Sequence, residues 1–150
     1  MLITFKKDEF VIVTVQKIKR TTIRADKNNR WKPGNSIQFW RGNPRNVNSK
    51  RKPFEFAKGT CTEVNEIYIE PQKNYVIIRI DGEYRLLKSP IELLDLAKDD
   101  GFKSWAEMKE FFPKPFLGKL ITWEITEIHF KEIEKHLNTL RPSSLELQTS

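Results

Sequence analysis

Residues suited to chemistry are concentrated between Lys17 and Arg24, where Lys17, Lys19, Arg20 and Arg24 surround the hydroxyls of Thr21 and Thr22. A lysine that loses its proton on burial can act as a base on a nearby hydroxyl, and Thr22 follows Lys19 closely enough to be that hydroxyl. Arg24, just beyond, offers a planar fork of donors suited to an oxyanion or a phosphate. The plain alternative is a solvated basic loop, because only Ile18 and Ile23 of this segment could face a core and charge runs are usually solvated. The turn from Asp26 to Gly34 adds Arg30, Trp31 and Lys32 and closes on Pro33-Gly34.

The elements that must hold this segment can be read in order. Leu2 to Phe5 is a short apolar strand. Asp8 to Lys17 carries conflicting signals: its β-branched residues favour a strand, whereas Asp8 is a good N-cap and Val11, Val15 and Ile18 share one helical face. Ser36 to Trp40 alternates as a half-buried strand. Arg41 to Lys58, with Gly42, Pro44, Pro53 and the run Lys50, Arg51, Lys52, is expected to be a long surface loop. Thr60 to Glu70 and Asn74 to Asp81 read as strands, and Asp81-Gly82 before Tyr84 is a hairpin turn that needs positive φ.

Ser89-Pro90 starts a helix that runs to Asp99-Asp100 and stops at Gly101. Ser104 with Glu107 opens a second helix, whose apolar stripe is Trp105, Met108, Phe111 and Phe112. Gly118 to Ile128 is a long strand, and His129 to Leu140 a weaker helix. Hairpin-joined strands with short helices inserted late predict an α+β fold, a small mixed β-barrel or curled sheet with helices on its flank.

Composition narrows the function. The 150 residues suit one domain, and ten Phe and four Trp can build a core although only 38% of the chain is apolar. Lys and Arg outnumber Asp and Glu by 27 to 20, a net charge of +7, which favours a polyanionic partner over an acidic protein or a neutral metabolite. A single cysteine, Cys61, excludes an internal disulfide and suits a reducing compartment. No segment resembles a signal peptide or a membrane span, so a soluble, cytoplasmic monomer is expected. His129 and His136 are too far apart for neighbouring-turn ligands and read as surface residues. Cys61 has no companion and no glycine-rich phosphate loop is present, so neither a metal nor a cofactor is expected.

In order and content these features resemble the ASCH domain, a branch of the PUA-like β-barrels. The likeness is carried by Lys19-x-x-Thr22-Ile23-Arg24, by Trp31 to Asn35 ahead of a strand, by Asp99 to Phe102 ahead of a helix, and by Gly118 to Trp123 as a closing strand. It covers roughly residues 1–125, leaving 126–150 as a C-terminal extension with a helix at about 129–140 and a flexible tail. The resemblance implies a barrel of about five or six strands with a basic cleft facing RNA or a nucleoside, and makes Asp8 to Lys17 a helix. In the branch similar to N4-acetylcytidine amidohydrolases it implies catalytic roles for Lys19, Thr22 and an acid, carried over to Asp100 with Asp99 as the alternative. Two departures stand out. The acid is Asp where the family has Glu, and Lys17-Ile18 replaces the glycine usual just before the lysine.

The enzymatic expectation is an amide-hydrolysing triad of Lys19, Thr22 and Asp100 acting on an acylated pyrimidine, with Arg24 on the oxyanion. The binding alternative is a non-catalytic RNA-binding module. There Arg20, Arg24, Arg30, Lys32 and the Lys50 to Lys52 run contact phosphates while Trp31, or less readily Trp40, stacks a base. A third class, a partner-recognition module using Phe111 to Pro113 or the last helix, ranks behind both.

Overall fold

The computed structural model describes residues 1–46, 48 and 50–138. In chain order, β1 (Leu2–Phe5) leads into α1 (Asp8–Val15), followed by β2 (Thr21–Arg24), β3 (Ser36–Arg41), β4 (Phe54–Glu70), β5 (Tyr75–Ile80) and β6 (Glu83–Leu87). Two helices, α2 (Pro90–Asp99) and α3 (Trp105–Phe111), precede β7 (Phe116–Ile128), and α4 (Phe130–Asn138) follows it. The fold is α+β, with all seven strands in one sheet.

β4 is the spine, because an extended strand offers hydrogen bonds along two edges. Along one edge it takes β7 antiparallel, from Ala57 opposite Ile128 to Ile69 opposite Phe116. Along the other it takes β3 with its first residues and β5 with its last, both antiparallel. Register irregularities between Lys58 and Gly59 and between Cys61 and Glu63 let one long strand serve both partners. β1 joins β3 in parallel, β6 extends the sheet from β5, and β2 pairs with the far edge of β7. Among the described residues no ladder joins β1 to β2. The sheet therefore has more strands than the five or six expected, and its hydrogen-bonded path is not closed.

The core is in two clusters. One gathers Ile3, Phe39, Phe56, Trp31 and Trp123; the other gathers Ile67, Ile69, Val76, Leu96, Met108 and Phe112 beneath α2 and α3. Phe10 of α1 packs against both. Local signals account for most boundaries. Asp81 (φ 51°) and Gly82 (φ 80°) form the turn between β5 and β6. Ser89 and Glu92 make a complete capping box on α2. On α3, Ser104 accepts from the Glu107 amide, whereas the Glu107 carboxylate takes the amide of Lys103.

Asp8–Val15 is helical, as the resemblance implied and against propensity, because burying Val11 and Thr14 outweighs a preference of tenths of a kcal/mol per residue. Several other expectations are corrected. The N-cap is Lys7, without a side-chain cap, rather than Asp8. Asp8 instead accepts from Arg51 Nη2 at 2.8 Å through both oxygens and lies 3.8 Å from Arg41 Nε. The loop expected to reach Lys58 ends earlier, since Phe54, Phe56 and Ala57 are buried in β4. His129 and His136 are not free surface residues. His129 Nε2 is 2.7 Å from Glu55 Oε1, and the His136 ring stacks on Phe54 at 4.3 Å. β7 runs past residue 125, and Leu137 of α4 is buried in the cluster that holds Phe54. The expected tail, and the end of the helix expected to reach residue 140, lie outside the described residues. No helix among the described residues is long and apolar enough to cross a membrane.

The end of α1 sets the position of Lys19. Ile18 N donates to Val13 O at 2.9 Å and Lys17 N to Thr14 O at 3.0 Å, the paired bonds of a Schellman stop. The left-handed residue in that stop is Lys17, at φ 62°. A residue with a Cβ is strained there by about 1–2 kcal/mol, part of which glycine returns as unfolded-state entropy. Lys17→Gly is expected to stabilise the protein by about 0.5–1 kcal/mol, raising Tm by roughly 2–5 °C in a thermal melt. A lower Tm would show that the Lys17 side chain contributes more than its backbone costs.

Candidate active site

The seam between β1 and β2, where no ladder forms, holds a cavity of about 400 Å³. Thr4 and Phe5 of β1, Thr22 and Arg24 of β2, Lys19 and Asp100 all line it. Lys19 is brought there by the Schellman stop, with its amide also bonded to Val13 O at 2.9 Å. Asp100 is brought there as the C-cap of α2. Gly101 permits the approach: it is left-handed (φ 91°), and a Cβ on it would lie 2.8 Å from Lys19 Cδ and 3.2 Å from Phe10 Cδ1.

Lys19 and Asp100 are each only 3% exposed. The Lys19 ammonium donates to Thr21 O at 2.8 Å and Asp100 O at 2.5 Å, and lies 3.7 Å from Asp100 Oδ1. The rings of Phe10, Phe5 and Trp123 surround it at 5.1, 5.2 and 5.8 Å from their centroids. Burial lowers the Lys19 pKa from its ordinary value, opposed by the charge of Asp100 and assisted by Arg24. Burial raises the Asp100 carboxyl to about 6, against the opposing pull of Lys19 and the Thr21 hydrogen bond. A surface ion pair, the plain reading of these two residues, is therefore excluded; both charges are desolvated and each is pushed towards its neutral form.

Thr22 lines the cavity and is buried, but its hydroxyl makes no hydrogen bond among the described residues. The hydroxyl that holds Asp100 is that of Thr21, which donates to Oδ1 at 3.0 Å. Arg24 reaches across the seam to Thr4 O through Nη2 at 3.3 Å, and its Nε is buried with no hydrogen-bond partner. Burial lowers the pKa of this guanidinium, with Asp100 opposing.

Of the residues singled out from the sequence, Lys19, Thr22, Arg24 and Asp100 meet in this one cavity. Of the two acids, Asp100 lines the cavity, whereas Asp99 pairs outside it with Arg20 at 2.6 Å. Arg20 is thereby engaged away from the cavity. Trp31 is 9% exposed within the core, so its ring is not open for stacking, and burial in the first cluster is the reason. Arg30 and Lys32 are exposed on the β2–β3 connection and do not line the cavity. Arg51 of the basic run is taken up by Asp8. Sequence reasoning missed Lys6 and Lys7 on the β1–α1 turn, and Phe10 and Phe111, all of which line the cavity. Adjacent lysines ahead of a helix were the available signal for the first two. Among the described residues, no group of three or more His, Cys, Asp or Glu could hold a metal ion.

The chain matches no family model, no curated protein and no solved structure. What the site does must therefore be argued from these side chains. A buried amine beside a buried carboxyl of raised pKa, with a free hydroxyl and a guanidinium lining the same space, can move a proton and stabilise an oxyanion.

The Asp100 environment has a direct signature. Its carboxyl carbon is expected to titrate by NMR with a midpoint near 6, against the ordinary 3.8. Below about 3.8 folded and unfolded chains both hold this proton; between there and about 6 the unfolded chain has lost it first, so this group's contribution to stability falls as pH rises. A midpoint near 3.8 would contradict the desolvation described here.

Proposed function

We propose that this is an ASCH-like protein of the PUA-like barrel class, with an open seam, whose cavity takes the acylated pyrimidine base of a nucleoside or of RNA and hydrolyses its amide. The observation that supports this reading is the convergence of Lys19, Thr22, Arg24 and Asp100 on one cavity of about 400 Å³, within the range of small-molecule sites.

The chemistry balances with these groups alone. Lys19, in its neutral form, takes the Thr22 hydroxyl proton as the Thr22 oxygen attacks the acyl carbonyl carbon. The Arg24 guanidinium, which lines the cavity, stabilises the oxyanion. Asp100, ionised, accepts the N–H of the substrate amide and orients it. Collapse breaks the C–N bond; Lys19 returns its proton to the leaving amine, and water then hydrolyses the Thr22 ester to the free acid and the starting hydroxyl. Apo sites often show such contacts long or unmade, so the missing bond between Thr22 and Lys19 is compatible with the proposal.

That same missing bond favours a second reading, in which the cavity binds the base without reacting. In this reading Lys19 stays a cation, held by two carbonyls and three rings, and Thr22 is a contact residue.

Incubation with N4-acetylcytidine separates the two. Hydrolysis predicts cytidine and acetate as products, with Lys19→Ala and Thr22→Ala each slower by about 10²–10⁴-fold, the usual size of an acid–base or nucleophile contribution. Equal turnover by wild type and both variants would sink the triad; binding of the base with no product would leave the second reading. Because Asp100 must be ionised, the wild-type rate is expected to fall as pH drops through about 6, and Asp100→Asn to flatten that limb.

A further inference from the structure

The cavity carries more positive charge than a nucleoside could use. Its lining holds Lys6, Lys7, Lys19 and Arg24 against one acid, Asp100. The inner pair is accounted for: Lys19 sits on Thr21 O, Asp100 and three rings, and Arg24 bridges to Thr4 O. The outer pair is not. Lys6 and Lys7 are exposed, and among the described residues neither makes an ion pair or side-chain hydrogen bond.

The nearby acids are directed elsewhere. Asp8 is held by Arg51 and Arg41, and Glu9 lines the neighbouring groove on the other side of α1. Two adjacent lysines are thus left without a counter-charge at the mouth of a basic cavity. Lysine ammonium groups bind phosphate as compact point charges, and uncompensated like charges repel until an anion enters. An exposed ring, Phe111 at 60%, lines the same cavity and packs on Phe102 and Phe112 at 5.6 and 5.1 Å.

We infer that Lys6 and Lys7 form a phosphate subsite at the mouth of the cavity, so that its ligand is a base carrying a phosphate on its own ribose rather than a free nucleoside. This rests on reading the cavity as a base-binding site. The phosphate can be the monoester of a free nucleotide or the diester of an RNA chain, and both present the same anionic oxygens to the two lysines.

Calorimetry on the full chain at low ionic strength, with cytidine, cytidine 5′-monophosphate and a cytidine-centred RNA trinucleotide, tests this. Wild type is expected to bind the monophosphate at least about tenfold tighter than cytidine, the ratio one charge-assisted contact supplies. In the double variant Lys6→Ala/Lys7→Ala the two ligands are expected to bind alike, and rising salt is expected to erase the wild-type difference. A gain shared by the trinucleotide assigns the phosphate to an RNA chain, and a gain confined to the monophosphate assigns it to a free nucleotide; either supports the subsite. Equal binding of nucleoside and monophosphate by wild type, or a gain that survives the double substitution, overturns it. If wild type hydrolyses N4-acetylcytidine yet does not distinguish the monophosphate, the inference fails alone; if no ligand binds, it fails together with the base-binding reading.

Discussion

Burying the Lys19 ammonium costs several kcal/mol in lost hydration, and the surroundings must return most of that for the fold to stand. They do so with groups drawn from five elements. Thr21 O comes from β2 and Asp100 from the end of α2, while the rings of Phe5, Phe10 and Trp123 come from β1, α1 and β7. Five elements that share few ladders are thereby tied through one amine. The requirement explains features that otherwise look unrelated: the left-handed Lys17, which turns the chain so that Lys19 points inward, and the left-handed Gly101, whose bare Cα leaves room for the lysine stem.

The same burial draws the two pKa values towards each other. In water, lysine and aspartate lie far apart on the pH scale and exchange no proton. Here desolvation lowers one and raises the other, so the free-energy gap for moving a proton within the site narrows. Thr21 and Lys19 work against complete neutralisation of Asp100, which keeps the carboxyl near neutral pH instead of far above it. Structural support and the shifted pKa values thus share one origin, the burial of the pair.

How much of this could be read from the sequence depended on whether a feature was local. The Asp81-Gly82 turn, the Ser89 cap and the Gly101 stop need only neighbouring residues, and they are where the sequence placed them. The amine, hydroxyl and guanidinium of Lys19, Thr22 and Arg24 were visible as residue types, but which of them touch was not. Thr21 and Thr22 look alike in sequence; packing alone sends the Thr21 hydroxyl to Asp100. Asp99 and Asp100 differ by about 100° of helical turn, enough to send one to Arg20 outside and the other into the cavity, and no local signal encodes that choice. α1 was misread by propensity because its stability comes from contacts across the chain. Trp31, surrounded in sequence by Arg, Lys and Pro, was drawn into the core for the same reason. Lys6 and Lys7 were visible as adjacent lysines ahead of a helix, but that they line the cavity was not, being a fact of three-dimensional arrangement.

The site lies where the sheet is incomplete, and the two facts are linked. Had β1 paired with β2, their backbone groups would have satisfied one another and the strands would lie about 4.8 Å apart, too close for a cavity between them. Left unpaired, the facing edges must find other partners. The Arg24 side chain provides one by donating to Thr4 O, and in doing so it is fixed across the seam with its Nε still free. A guanidinium held as a structural strut by one of its donors, in a residue that lines the cavity, costs little further ordering when a ligand arrives. The open seam is what brings the buried charges of Lys19 and Asp100 and the solvent-facing Lys6 and Lys7 onto one cavity.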